Sequence, residues 1–229
     1  MNDVCSALVH RVASYDAPIL LHLAPSAVLE LHEELPEHLL ERCLAILEEV
    51  HDHVVGLFLS PQAFFVYGSG GVAALEAVYE AAEELGFFIV TDIGSLRFDA
   101  EIAAVHRSFC ASDSLFYSDA ICVSCRDFVL QKKLQQVCPD TICFFHRPTD
   151  YDVIYCDRLH DDIRKQHPAA FLLADWEELP SHHLRRADGT GVLHICRTIP
   201  EHIWSDDYRR DTLRQIVIDF AKHVLSLGA

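Results

Sequence analysis

Short apolar runs alternate with longer segments of helical periodicity along most of the chain. Ile19–Leu23 reads as a strand. Glu37–Val50 reads as a helix, because Leu39, Leu40, Cys43, Leu44, Leu47 and Val50 recur at helical spacing. The same rhythm gives strands at Val54–Leu59, Phe87–Thr91, Ala120–Val123, Thr141–Phe145, Ala170–Ala174 and Val192–Cys196. Helices are expected at Val72–Leu85, Asp99–Cys110, Phe128–Val137, Leu159–Gln166, Glu177–Ala187 and Asp207–Leu227.

That pattern is seven strands, each followed by a helix. Strands that are apolar throughout are covered on both faces, as in a parallel sheet. The expectation is a (β/α) TIM-type barrel shortened to seven recognisable strands, one fewer than the full barrel. A doubly wound open sheet is the alternative. No Pro-, Gly- or Ser-rich linker and no repeat divides the 229 residues, so residues 1–229 are read as one domain.

Charge narrows the function classes. Eighteen Lys and Arg face 35 Asp and Glu, a formal net charge of −17. Such a surface repels phosphodiester backbones and anionic lipid, so neither nucleic acid nor a membrane is expected as a partner. An anionic small molecule needs a place where arginine or backbone N–H groups reverse the field. No basic region leads into an apolar run at the N-terminus, and no stretch approaches the roughly 20 apolar residues of a membrane span. Nine cysteines without a secretory signal read as reduced thiols, which points to the cytosol.

Ser60-Pro61-Gln62-Ala63-Phe64-Phe65, followed by Gly68 and Gly70-Gly71, resembles the orotidine 5′-phosphate decarboxylase family. There a Lys-Pro-Gln-x-Ala-Phe-Phe-like run ends the second barrel strand. Leu21–Ser26 is similar to the family's Gly-Leu-Asp-Pro stretch. Val90-Thr91-Asp92 is similar to the strand bearing its Asp-x-Lys-x-x-Asp signature, and Ser118–Ile121 to its fourth strand. Cys196-Arg197-Thr198-Ile199 resembles the run whose arginine holds the substrate phosphate.

The resemblance implies a barrel, a dimer with sites at its interface (a homodimer, or a pairing with an active relative), no cofactor, and a phosphorylated, nucleotide-like ligand. It assigns Ser60, Gln62, Asp92 and Arg197 to ligand binding. It places Asp92 and Arg97 at the chemistry. It also exposes departures. The family's lysines fall on Ser60 and Gly94, its second signature aspartate on Arg97, and its first-strand aspartate on Ala24. The seventh family strand and its glycine-rich phosphate loop have no counterpart between Ala174 and Val192. The first lysine in the chain is Lys132, past the fourth strand, so no shift of alignment restores the missing ones.

Decarboxylation leaves negative charge on a ring carbon, which an ammonium must stabilise and then protonate. Arginine gives up a proton reluctantly. The expectation is therefore a decarboxylase-like barrel that has lost this reaction but keeps a ligand or a partner. A divergent active decarboxylase or other lyase of pyrimidine biosynthesis is the enzyme alternative. An acidic interaction module that docks a basic protein is the third.

Each candidate has a plainer reading. In a (β/α) barrel, groups at the C-terminal ends of strands carry function, which selects Ser60, Asp92, Ser124, Arg147, Asp175 and Arg197. Asp92 is equally a cap of the following turn. Arg197 competes with a surface ion pair. Gly68–Gly71 reads as a tight strand-to-helix turn before it reads as a phosphate cradle. Cys122 and Cys125 form a CxxC without its expected second pair; His182, His183, His194 and Cys196 would have to complete a metal site by the accident of folding, so no metal is expected. The scattered histidines read as solvated side chains, and no G-x-S-x-G elbow supports a serine nucleophile.

Overall fold

Eight parallel strands close on themselves in the order of the chain in a computed structural model of the protein. The structure describes residue 12 and residues 18–25, 35–146, 153–156, 170–175, 192–197 and 210–226. The strands are β1 (Ile19–Leu23), β2 (Gly56–Leu59), β3 (Phe88–Ser95), β4 (Ala120–Ser124), β5 (Ile142–Phe145), β6 (Val153–Cys156), β7 (Phe171–Asp175) and β8 (Val192–Cys196). The helices are α1 (Leu35–Val50), α2 (Gln62–Phe65), α3 (Gly68–Glu84), α4 (Asp99–Val105), α5 (Phe128–Val137) and α6 (Arg210–Ser226). A π-turn over His106–Cys110 extends α4. No helix among the described residues is long and apolar enough to cross a membrane.

The TIM-type barrel expected from the pattern is the fold observed. The open-sheet alternative is excluded, because β1 pairs with β8 in parallel, Leu20 opposite Ile195 and Leu21 opposite Cys196. All seven strands read from the sequence are present. An eighth, β6, lies between β5 and β7 and pairs with both. It has only four residues, Val-Ile-Tyr-Cys, with aspartates at 152 and 157 on either side, too short a run to stand out as a strand. The strand missing from the sequence reading therefore precedes β7. The expected loss of a strand is corrected, since β7 pairs directly with β8 and all eight strands are present, while the stretch 176–191, where the phosphate loop was looked for, lies outside the described residues. The predicted helices at 159–166 and 177–187 lie outside the described residues.

Strand alternation sorts the core into two layers. Leu20, Phe58, Val90, Cys122, Phe144, Leu173 and Ile195 pack together inside the barrel. Their neighbours Leu21, Leu57, Leu59 and Ile89 face outward, against Leu39, Leu47, Leu75 and Val78 of α1 and α3. Ile121, Val123 and Phe145 pack outward with Leu130 and Leu134 of α5. Cys43, Cys110, Cys122, Cys125, Cys138, Cys143 and Cys196 are buried free thiols.

The glycine cluster after β2 serves packing. α2 and α3 meet so closely that a Cβ at Gly71 would sit 1.9 Å from the Phe64 carbonyl oxygen and 2.9 Å from Tyr67 Cβ. A side chain there must push the two helices apart. Gly71→Ala is therefore expected to lower the unfolding free energy by roughly 1–3 kcal/mol, as overpacking does. Chemical denaturation measures this, and an unchanged midpoint would contradict the close approach.

Candidate functional site at the barrel mouth

Extending the inward register by two residues along each strand reaches the C-terminal mouth. Leu20 leads to His22, Phe58 to Ser60, Val90 to Asp92, Cys122 to Ser124, Phe144 to His146 and Ile195 to Arg197. These positions are half-buried, in contrast to the sealed layer beneath them. Polar groups thus occupy the last inward turn of the barrel, where this fold places its chemistry.

Three of them are joined. His22 Nε2 lies 2.9 Å from Ser60 Oγ. On the other side of the same ring, Arg197 Nη1 lies 3.2 Å from His22 Nδ1. Phe58 forms the floor of this group. Its ring meets the His22 ring edge-on at 5.4 Å, and the Arg197 guanidinium carbon lies 5.7 Å from its centroid. That geometry suits a cation over an aromatic face.

A second group lies on β3. The strand does not stop at Asp92 but runs to Ser95, with a bulge in its pairing to β4 between those two residues. Asp92 Oδ1 accepts the Gly94 N–H at 2.9 Å, and Gly94 has φ +72°. The aspartate holds the bulge, and the glycine supplies a left-handed backbone that a residue with a Cβ adopts only at a cost. The Gln62 amide nitrogen would lie 3.6 Å from a Cβ at Gly94, so Gln62 belongs to this side of the mouth although its side chain is exposed. Asp92 therefore does the work of a turn cap and stands at an inward position as well.

Arg97 stands apart. It is exposed, and its backbone N–H, like that of Phe98, binds the Glu101 carboxylate, at 2.7 and 2.9 Å respectively. Those two backbone hydrogen bonds, helped by the Arg97 charge, hold the Glu101 carboxyl below its ordinary range. The lysines of the described chain lie on outer helices. Lys132 is exposed on α5; Lys133 pairs with Asp99 at 2.7 Å, and Lys222 with Asp219 at 3.4 Å on α6. Lys165, Arg147, His182 and His183 lie outside the described residues. Asp175 takes the position on β7 opposite Ile195.

The two thiols of the CxxC point to different places. Cys122 faces the barrel interior, 3.8 Å from His146 Nε2. Cys125 packs outward beside Leu130, with its thiol donating to the Asp127 carbonyl at 3.5 Å. Two residues escaped the sequence reading. His22 was hidden within an apolar strand, and His146 was passed over for its neighbour Arg147. Parity was the available signal, since both are polar residues in the inward register at a strand's end.

Away from the mouth, α3 and the loop before β4 frame a cleft of about 540 Å³ near the N-terminal ends of β3 and β4. Tyr79, Thr91 and Ser118 form a buried hydroxyl chain beside it, with spacings of 2.5 and 2.7 Å. Ser118 donates onward to the Phe116 carbonyl at 3.0 Å. Its single hydrogen is thereby used, so Thr91 donates to Ser118 and Tyr79 to Thr91.

No family model and no curated protein matches the chain. Solved structures do. A Streptomyces avermitilis protein assigned as an orotidine 5′-phosphate decarboxylase superposes with a TM-score of 0.75 at 16% identity, over 100% of this chain and 96% of its own. The Leishmania donovani OMP decarboxylase gives 0.71 at 17% identity, over 100% of this chain and 99% of its own. A more distant barrel, the N-acetylneuraminate lyase of Fusobacterium nucleatum, gives 0.52 at 8%, over 93% of this chain and 79% of its own. The fold is thus that of orotidine 5′-phosphate decarboxylases, matched along the whole chain.

Burial pushes the Tyr79 hydroxyl up to about 12. In the unfolded chain a tyrosine ionises near ~10. Between those values the folded state holds a proton that the unfolded state has lost, so stability is present below ~pH 10 and is lost as pH rises through the folded value. Tyr79→Phe removes this dependence. From pH 9 to 11 the unfolding free energy of the wild type should fall relative to the variant by on the order of 1 kcal/mol. Parallel pH profiles from chemical denaturation would show that Tyr79 titrates as an exposed tyrosine does.

Proposed function

We propose that this protein is an orotidine 5′-phosphate decarboxylase-like barrel that binds a phosphorylated, nucleotide-like ligand at its mouth and does not decarboxylate it. The observation that carries the reading is the Ser60–His22–Arg197 group at the C-terminal ends of β2, β1 and β8. It offers hydrogen-bond donors and one fixed cation, but no ammonium from the described lysines, which sit on outer helices.

The chemistry follows from that inventory. Arg197 is permanently charged and suits a phosphate oxygen through its planar fork. In a chain of net charge −17, a guanidinium at the mouth is the kind of group an anion needs. A carbanion formed beside this group would find a guanidinium, which holds its proton too firmly to act as the acid, and an imidazole already bonded to Ser60, but no lysine ammonium among the described residues. Where the family places a lysine, Gly94 has φ +72°, a backbone that a residue with a side chain adopts only at a cost. A second copy of the chain, or an active relative, is the partner proposed by analogy, and the cytosol is the proposed compartment.

The alternative, an active lyase using Asp92 and Arg97 in new roles, has less support. Asp92 is engaged by Gly94, and Arg97 is exposed beside Glu101.

Uridine 5′-phosphate should stabilise the protein, approaching about 2.7 kcal/mol at a concentration a hundredfold above Kd. Thermal shift or calorimetry reads this, and Arg197→Ala should abolish it. No response from the wild type, or the same response from the variant, would defeat the ligand assignment. Rescue of a pyrimidine auxotroph by this chain would defeat the noncatalytic one.

A further inference from the structure

Two hydrogen-bond contacts of His22, one at each ring nitrogen, bear on which of them carries the proton. A guanidinium has only donors. Arg197 Nη1 at 3.2 Å from His22 Nδ1 therefore donates, and Nδ1 must be the bare acceptor. The proton of a neutral ring then sits on Nε2, which donates to Ser60 Oγ at 2.9 Å. Ser60 accepts there and keeps its own hydrogen to give elsewhere.

From this we infer that Ser60 is a neutral hydrogen-bond donor to a ligand's acceptor oxygen, with His22 as the positioning residue that Arg197 locks in the Nε2–H form. The inference deepens the reading of the mouth as a ligand site and rests on it for the ligand alone. It also separates this group from a serine hydrolase. In a catalytic triad an aspartate accepts from Nδ1–H and leaves Nε2 bare to take the serine proton. Here a cation occupies the aspartate's place and inverts the ring. His22 cannot take a proton from Ser60 in this state, so Ser60 is not an activated nucleophile. A donor hydroxyl and a guanidinium on opposite sides of one imidazole favour ligands with acceptor oxygens, phosphate or carbonyl, and disfavour ligands presenting an ammonium.

Nitrogen NMR of the full-length, ligand-free protein tests the lock directly. The His22 signals are assigned by their loss in His22→Asn. The expected result is an unprotonated Nδ1 and a protonated Nε2, and Arg197→Met should shift the ring toward a mixture of tautomers. A protonated Nδ1 in the wild type, or no change in the variant, would overturn the inference. The ligand arm uses uridine 5′-phosphate. Ser60→Ala should weaken its binding about tenfold, while Ser60→Thr should keep most of it. Equal binding by Ser60→Ala and wild type would overturn the donor role, as would labelling of Ser60 by a fluorophosphonate. If the wild type binds no uridine 5′-phosphate, the ligand reading fails, whereas the tautomer is still decided in the ligand-free protein.

Discussion

The pairing of β8 with β1 is the constraint on which the mouth depends. It closes the sheet, so the barrel has no free edge, and it sets the last strand of the chain in register with the first. One consequence is chemical. Arg197 and His22, 175 residues apart in sequence, come within hydrogen-bonding distance because the residues before them, Cys196 and Leu21, are opposed in the ladder. Opened between β1 and β8, a sheet in this strand order would leave these two groups at opposite edges.

The inner layer then decides what the mouth can be. Phe58, Val90, Cys122, Phe144, Leu173 and Ile195 fill the barrel with apolar bulk. The first polar groups above that plug are therefore held on rigid strands with a hydrophobic floor. Phe58 links the two levels, buried in the core and stacked edge-on beneath His22. The polar side chains of the mouth thus stand on strand ends, where packing below restricts their freedom.

Much of this was legible in the sequence. Seven strands could be read because each is a nearly unbroken apolar run, and helices such as Phe128–Val137 because of their spacing. β6 was not, because four residues between aspartates carry too little signal. Ser60 and Arg197 stood out at strand ends, and the structure places both on one imidazole. His22 was invisible as a site residue, since its neighbours Ile19, Leu20, Leu21 and Leu23 made the segment look like pure core. Asp92 was ambiguous for a physical reason. A carboxylate that caps a bulge and one that faces a pocket need the same residue type at the same place. Arg97 was the weaker inference, because a position borrowed from a signature says nothing of whether a side chain turns inward.

At the centre stands a barrel with the decarboxylase fold whose described mouth residues supply a hydroxyl, imidazoles and a guanidinium, and no ammonium. Release of labelled carbon dioxide from carboxyl-labelled orotidine 5′-phosphate measures that most directly. Purified protein should release it no faster than buffer alone. Saturable release far above the spontaneous rate would contradict the account.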